Sequence, residues 1–369
     1  MRVKLSDVAK YSKGVQINGD DLIADGKYIY LNGGINPSGR WNDANVGKNT
    51  VTISEGGNSS GYINYITEPF WCGAHCYYLY DGPKNTRYLY YALKSQQERL
   101  FAIRSGACMP NIKKADLGNF EFEYDFNEKR QNDIVDCLDR VQRIIDIRQQ
   151  EIQKMDDLVK ARFVEMFGDA VDNPMGWPVQ ELQEIVTDDC TISYGIVQTG
   201  DDQEEGVPVF RPVDVVNRVP VRSELKKTTE EISNKYKRTI LKGRELLITV
   251  RANIADTCIV GEEFVGCNVG RGIVPIRTNE SVMVLEFLKH QLDSKHLNDN
   301  IKAMAKGITL IQLNMEDLRT VRLMVPPIER QKAFVEFAKQ LDKSKVAVRK
   351  ALDETQNLLE CLMQQYFDK

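Results

Sequence analysis

The chain has 369 residues, of which 42% are hydrophobic and 28% charged, and its formal net charge is −4. These proportions are ordinary for a globular protein, and the length suggests roughly two to three domains. No apolar run approaches the roughly 20 residues of a membrane span, and early charges at the N-terminus argue against a signal peptide. The 8 cysteines show no framework of spacings. Reduced thiols fit this pattern, so we expect a soluble cytoplasmic protein.

The negative net charge excludes a protein that binds nucleic acid by bulk electrostatic attraction alone. No long segment of the chain has the composition of a polycation. A local basic face stays compatible with this composition, because phosphate contacts depend on the local field and not on the total charge. Any nucleic-acid function must therefore be inferred from how the chain is organised.

The first 125 residues contain short β-rich runs separated by glycine, asparagine and aspartate, at 28–31, 62–66 and 76–80. A further alternating strand is predicted at residues 120–124. This mixture predicts a globular α+β domain over residues 1–125.

Residues 126–168 predict one long helix, because they contain no proline and no internal glycine. Their apolar side chains recur at alternating spacings of four and three, the heptad pattern of a helix that pairs along one seam. Arg148 and Arg162 occupy two intervening seam positions. The apolar seam positions are Ile134, Leu138, Val141, Ile145, Ile152, Met155, Val159 and Met166.

A second globular segment over residues 171–325 repeats features of the first. Residues 246–249 with Asn253 parallel residues 51–54 with Asn58, and the strand predicted at 321–325 parallels the one at 120–124. A helix is predicted from residue 282 to 305, where we expect it to serve as scaffold.

The heptad pattern returns over residues 328–367, shifted by 200 positions. Lys345 and Thr355 are its polar interruptions, and Pro326-Pro327 marks the helix start. Its seam positions are Phe334, Ala338, Leu341, Val348, Leu352, Leu359, Leu362 and Tyr366. The predicted order is therefore head 1–125, helix 126–170, head 171–325 and helix 326–369. We expect the two helices to form an antiparallel coiled coil.

Two related heads on a rigid spacer would suit two half-sites separated by an uncontacted stretch of DNA. A helix of about 60 Å matches ~18 base pairs at 3.4 Å each. The same object could bridge two proteins as a scaffold without DNA specificity. Physical reasoning from the repeat leaves both alternatives open.

The motifs at the end of each head resemble those of type I restriction-modification specificity subunits (the HsdS family). The resemblance rests on Gly106, 110–112, 116–117 and 128–131 in the first half, and on Gly307-Ile-Thr, Leu313, 317–318 and 326–331 in the second. Residues 243–249, 194–199 and 209–211 are similar to further family segments, so the resemblance covers essentially the whole chain. The first head departs from the family at 125–127, where Asp-Phe-Asn replaces the usual Pro-Pro.

The resemblance implies two target recognition domains, each contacting one half of a bipartite double-stranded DNA site. It further implies two methyltransferase (modification) subunits that methylate adenine N6 with S-adenosylmethionine, and restriction subunits that use ATP. This chain would then be a non-catalytic specificity subunit that binds no cofactor itself, because S-adenosylmethionine, ATP and Mg would belong to partner subunits.

Three catalytic or metal-binding alternatives have weaker support. The nearest matches to the adenine methyltransferase motif, Asn36-Pro and Asn173-Pro, do not fit it. A metal-dependent nuclease is suggested only by the loose spacing of Asp214, Glu224 and Lys226, which includes a loop-like stretch at 213–220. The run Cys72-Gly-Ala-His75-Cys76 offers three zinc ligands where a structural site needs about four. We interpret it as a buried strand and expect no metal and no catalytic residue.

Loop side chains that suit phosphates or base edges are the candidate DNA contacts. In the first head they are Lys13, Gln16, Arg40, Trp41, Asn58, Ser59 and Lys113. In the second head they are Tyr194, Gln198, Arg211, Arg251, Asn253, Arg271 and Lys306.

Overall fold

The structure, a computed structural model, describes residues 1–106, 108–215, 221–307 and 311–367. The chain is an α+β protein that divides into two compact units, Met1–Glu151 with Val348–Lys369 and Ile152–Ala347. Each unit contains one head and part of each of the two long helices. Within the described ranges, no helix is both long enough and apolar enough to cross a membrane.

Among its described residues, the first head contains short strands that form three small sheets. Its strands are β1 (Arg2–Lys4), β2 (Lys10–Lys13), β3 (Tyr28–Leu31), β4 (Gly39–Trp41), β5 (Thr50–Ser54), β6 (Ile63–Ile66), β7 (Trp71–Cys72), β8 (Cys76–Tyr80) and β9 (Glu121–Glu123). Its helices are α1 (Leu5–Val8), α2 (Thr86–Lys94), α3 (Gln97–Ala102) and α4 (Lys114–Gly118), and the first long helix, α5 (Glu128–Phe167), follows.

The second head is assembled in the same way. Its strands are β10 (Val179–Glu181), β11 (Val207–Phe210), β12 (Lys226–Thr228), β13 (Glu245–Thr249), β14 (Thr257–Val260), β15 (Asn268–Val269), β16 (Ile273–Ile276) and β17 (Arg322–Met324). Its helices are α6 (Pro212–Val215), α7 (Glu230–Lys235), α8 (Leu285–Leu292), α9 (Lys295–Ala303) and α10 (Met315–Arg319), and the second long helix, α11 (Ile328–Phe367), follows.

The sheet orders show that the two heads share one topology. The order β6-β5-β8 in the first head matches β14-β13-β16 in the second, and β4-β3-β7 matches β12-β11-β15. In each of the latter sheets one pair is antiparallel and the other parallel. The first head adds β2 beside β8. The sequence repeat is therefore a repeat of structure.

The long helices begin and end where local chemistry favours it. The Asn127 side chain accepts a hydrogen bond of 3.0 Å from the Arg130 backbone N–H, which is the capping geometry for a helix starting at Glu128. Gly168 follows α5 with a φ of 79° and donates its N–H to the Val164 carbonyl. The predictions of helices over 126–168 and 328–367 are confirmed.

In the first unit the beginning of α5 packs beside the end of α11. Buried Ile134 and Leu138 share a core with Phe367, whose ring centroid lies 5.4 Å from that of Tyr88 in the head. Further along α5, the Arg148 guanidinium donates to the Thr355 hydroxyl. These contacts make the two helices antiparallel within this unit.

The second unit repeats this arrangement with the other ends of the helices. The rings of Phe163 and Phe334 lie 5.4 Å apart, and both pack against Phe287 of α8. Here the seam differs from the prediction: Arg162 is 41% exposed, and Phe163 and Phe167 are buried in its place. Two successive spacings of four residues from Val159 turn the buried stripe toward the aromatic core of the head.

The prediction of a single helix over 282–305 is wrong, because the segment forms α8 and α9 with a break at 293–294. The Ser294 hydroxyl donates to the Gln291 carbonyl at 2.7 Å and so competes with helix continuation. In the stretch predicted as a loop, residues 212–215 form a short helix. Residues 216–220 of that stretch, residues 308–310 of the second-half motif and residues 368–369 of the second spacer helix lie outside the described residues.

Candidate nucleic-acid interface

In the second head, three predicted residues meet around Gln312, just beyond the end of β13. Arg251 forms an antiparallel bridge with Gln312, and its Nε donates to the Gln312 Oε1 at 2.6 Å. The Arg251 Nη2 donates to the same oxygen. The Gln312 Nε2 donates to the Tyr194 hydroxyl at 2.6 Å. The backbone of Lys306 exchanges both of its hydrogen bonds with that of Gln312.

The loop that follows Arg251 is folded back onto the end of β13. The Ala255 N–H donates to the Thr249 carbonyl at 2.8 Å, and the Thr249 N–H donates to the Asp256 carbonyl at 2.9 Å. Ala252 and Ala255 have φ values of 60° and 65°, in the left-handed region that alanine rarely adopts. Such backbone strain persists only where the surroundings enforce it. The position of Arg251 is thus set by its loop.

In the first head the corresponding region carries a different set of side chains. The Lys13 ammonium lies 2.7 Å from the Glu55 Oε1, and the His75 Nδ1 lies 3.2 Å from the Glu55 Oε2. Burial by itself would raise the pKa of the Glu55 carboxyl, but Lys13 and His75 outweigh it and hold that pKa below its ordinary value. Glu55 is therefore a charged partner that orients both basic side chains.

Backbone hydrogen bonds establish which positions of the two heads are equivalent. The Ile112 N–H donates to the Glu55 carbonyl in the first head, as the Leu313 N–H donates to the Val250 carbonyl in the second. By this correspondence Gly56 takes the place of Arg251, and Asn111 that of Gln312. Each of these pairs forms the matching isolated bridge, Gly56 with Asn111 and Arg251 with Gln312.

A second backbone match makes Lys13 equivalent to Tyr194. The Val15 N–H donates to the Cys72 carbonyl, and the Ile196 N–H donates to the Val269 carbonyl. Both segments need glycine just before this bond. A Cβ on Gly14 would lie 1.8 Å from the Cys72 oxygen, and one on Gly195 would lie 1.9 Å from the Val269 oxygen. The two heads therefore share a backbone frame, that is, the same backbone hydrogen bonds at equivalent positions, but have different polar side chains at those positions.

Other predicted residues are engaged within their own head. The Arg40 guanidinium donates to the carbonyls of Gly26 and Lys27, and the Ser59 hydroxyl donates to the Gly33 carbonyl. Trp41 packs edge-on against Trp71. In the second head, Arg211 forms a two-point ion pair with Asp214, at 3.0 and 2.9 Å. These contacts hold loops in place and leave fewer donors for a ligand.

The remaining predicted residues are exposed. Arg271 has no side-chain partner among the described residues, and it precedes Gly272, whose carbonyl accepts the Val250 N–H at 2.8 Å. This places Arg271 beside the Arg251 loop. Lys306 is also exposed, and its ammonium lies 3.3 Å from the Asp317 carboxylate. The other exposed candidates are Gln16, Asn58, Lys113, Gln198 and Asn253.

Sequence reasoning missed Gln312, Glu55 and His75 as members of these clusters. The signal available for Gln312 was the amide side chain at the corresponding position of the other half, Asn111. Glu55 and His75 carried no comparable signal, because their proximity to Lys13 depends on the pairing of β5, β8 and β2.

The side chains considered for catalysis or metal binding are buried, paired within the protein or part of an exposed turn. The interpretation of the run 72–76 as one buried strand is wrong, because it forms the turn between β7 and β8. Cys72 and Cys76 are buried at the ends of these strands, whereas the His75 side chain is 60% exposed and faces Glu55. Asp214 is held by Arg211. Within the described ranges, three potential metal ligands come together at Asp169, Asp172 and His296, where Asp169 also accepts the backbone N–H groups of 171 and 172. Exposed acidic turns of this kind are common without a metal.

The family described as the type I restriction modification DNA specificity domain matches residues 1–156 and 174–355. The chain therefore belongs to this family, which confirms the resemblance seen in its sequence motifs.

Individual relatives agree with this assignment. Over 129 residues the chain is 36% identical to a putative type I specificity subunit of Mycoplasma genitalium, covering 34% of this chain and 33% of that protein. Over 198 residues it is 27% identical to the type I restriction enzyme EcoBI specificity subunit of Escherichia coli, covering 53% and 42%. The matched region thus spans less than half the length of these curated relatives.

A solved structure shows the same fold over the full chain. The crystal structure of the type I restriction-modification S subunit from M. genitalium superimposes with a TM-score of 0.58 at 20% identity, covering 100% of this chain and 96% of that one.

Proposed function

We propose that this chain is the sequence-specific DNA-recognition subunit of a type I restriction-modification enzyme. Each head reads one half of a bipartite site in double-stranded DNA, through the loops at the ends of β5 and β13. The two long helices act as one antiparallel coiled coil that sets the distance between the half-sites.

The observation that carries this proposal is the contrast between the shared backbone frame and the different side chains of the two heads. Lys13, Gly56 and Asn111 stand where the second head has Tyr194, Arg251 and Gln312. Base-edge recognition depends on the donor and acceptor pattern that side chains present. Two heads of one fold with different patterns would read two different half-sites, and so an asymmetric sequence.

The spacer is supported by helix contacts found within each unit. Thr355 accepts from Arg148 in one unit, and Lys345 lies 2.7 Å from Asp156 in the other. Each helix has 40 residues. At 1.5 Å per residue this is about 60 Å, comparable to ~18 base pairs.

The chemistry is proposed to reside in partner subunits. Two modification subunits would methylate adenine N6 with S-adenosylmethionine, and restriction subunits would cleave DNA with ATP and Mg. This chain would contribute recognition and bind none of these cofactors itself. The support is membership of a DNA specificity family, together with the engagement of Asp214 by Arg211 and the burial of the Cys72 and Cys76 thiols.

Footprinting of the chain with and without a co-expressed adenine methyltransferase subunit tests the proposal. We expect weak protection by the chain alone, because a net charge of −4 provides little affinity through counterion release. With the partner we expect protection of one sequence with two separated halves. A two-headed protein scaffold would instead show no sequence preference under either condition.

A further inference from the structure

We infer that Arg251 reads a guanine in the half-site of the second head, and that Gln312 and Tyr194 are the residues that position it. The inference rests on the proposed function and makes it specific to one side chain and one base. Arg251 retains hydrogen-bonding capacity beyond its contacts with Gln312.

A guanidinium has five N–H donors. In Arg251 the Nε donor and one Nη2 donor are directed to the Gln312 Oε1. No other side-chain partner of Arg251 occurs among the described residues. The edge formed by Nη1 and the second hydrogen of Nη2 is therefore available, and it presents parallel donors and no acceptor.

The available edge is held in one orientation by a chain of fixed groups. Gln312 has one amide atom on Arg251 and the other on the Tyr194 hydroxyl, so its amide cannot rotate without losing contacts at both ends. The backbone of Gln312 is paired with Lys306, and the segment after Tyr194 is fixed by the bond from Ile196 to Val269. Arg251 would lose little side-chain freedom on binding, which favours recognition by a preorganised group.

The chemistry of the edge selects the base. In the major groove guanine offers two neighbouring acceptors, N7 and O6, which match two parallel donors. Adenine offers an acceptor beside a donor, cytosine a donor, and thymine one acceptor next to a methyl group. Of the four bases, guanine alone satisfies both donors of the Arg251 edge.

The first head lacks this device. Gly56 occupies the position equivalent to Arg251, and Lys13 the position equivalent to Tyr194. The preference for guanine at the inferred position should therefore belong to the second half-site alone.

The test uses the full chain assembled with its methyltransferase subunit, and maps methylation and binding on a library of randomised DNA sites. For Arg251→Ala we expect that one guanine of the second half-site is no longer selected, with binding to the original site weakened roughly 10- to 100-fold. The first half-site should be unchanged. Arg244→Ala is the matched control, because Arg244 precedes the opposite end of the same strand and pairs with Glu286.

Variants of Gln312 and Tyr194 test whether these residues position Arg251, because a purely structural role would not change selection at one particular guanine. Gln312→Leu removes the acceptor for Arg251 and should relax selection at the same guanine, whereas Gln312→Glu keeps an acceptor and should retain it. Tyr194→Phe should weaken selection at that position less than Gln312→Leu does.

Three results would overturn the inference or its basis, and they are distinguishable. Unchanged selectivity in Arg251→Ala excludes Arg251 as a base reader. A uniform loss of affinity for all sequences, with a shallower dependence on salt, would make Arg251 a phosphate contact instead. If the unaltered assembly shows no sequence preference at all, the proposed function itself fails.

Discussion

The Lys345 ammonium on α11 lies 2.7 Å from the Asp156 carboxylate on α5, and 2.6 Å from Asp342 on its own helix. Its side chain is only 12% exposed, although it occupies a seam position between two helices. Opposite charges at a seam favour one register over others, because any slip separates the pair. The interruption of the heptad pattern thus serves to align the helices in the second unit.

Two substitutions of Lys345 distinguish the contribution of its charge to stability from that of its aliphatic stem. We expect Lys345→Ala to lower the free energy of unfolding of the second unit by roughly 1–2 kcal/mol, since it removes both the aliphatic stem and the charge-assisted bonds. Lys345→Met restores the stem and should stay within about 1 kcal/mol of the unaltered protein. Urea denaturation combined with hydrogen exchange measures this. Lys350→Ala, at an 81% exposed side chain, is the control and should have almost no effect.

Phe334 should be among the most sensitive positions of the second unit. Its side chain is fully buried and its ring contacts those of Phe163, Phe167 and Phe287. Phe334→Ala should destabilise the unit by roughly 3–5 kcal/mol, because it leaves a cavity and removes several aromatic pairs. Hydrogen exchange should show faster opening of α8. Equal protection of α8 in the variant and the unaltered protein would contradict the role assigned to this cluster.

Acid should weaken the second unit through His290. Burial, with smaller contributions from Lys289 and Lys345, lowers the pKa of His290 to about 4, although Asp293 and Asp342 act in the opposite direction. In the unfolded chain the His290 side chain binds a proton near pH 6.5, whereas in the folded chain it does so only near pH 4. The stability contributed by neutral His290 is therefore complete above pH 6.5 and is lost as the pH falls toward 4. The loss amounts to roughly 3 kcal/mol.

The variant His290→Phe should reduce this pH dependence, because it retains a ring against Phe334 and removes the titrating group. Thermal unfolding of both proteins, measured from about pH 7 to about pH 4, provides the comparison. His296→Gln serves as a control, since the His296 side chain is 48% exposed. A pH profile of His290→Phe that matches the unaltered protein would assign the acid sensitivity to other groups.

The proposed spacer makes a prediction about DNA. Adding one heptad to α5 within 140–160, and the matching heptad to α11 within 340–360, lengthens each helix by ~10 Å, comparable to ~3 base pairs. The uncontacted stretch of the DNA site should lengthen accordingly, while both half-sites keep their sequences. Methylation mapping of the assembled enzyme detects the change.

A matched variant tests whether the seam is required. Four residues inserted into one helix alone shift the apolar stripe out of register and should prevent assembly. If the paired heptad insertion left the spacing unaltered, or changed the half-sites themselves, the helices would not determine the distance.

The amino-acid sequence by itself determined the long helices and the duplicated order of elements. Both properties are local: the helices follow from heptad spacing without proline, and their ends from residues such as Asn127 and Gly168. The repeat could be recognised because the second helix reproduces the first at a constant offset. Even so, the buried position at the end of α5 is Phe163 and not the predicted Arg162, because Phe163 packs in the aromatic core of the head.

Only the tertiary structure decided which polar side chains are available to a ligand. Arg211, Arg251 and Arg271 are equivalent as sequence candidates, yet the first is paired with Asp214, the second is held by Gln312, and the third has no side-chain partner among the described residues. These differences arise from contacts between segments far apart in the chain. Periodicity and composition describe near neighbours, whereas the hydrogen-bonding capacity left to a side chain depends on which distant groups the fold brings to it.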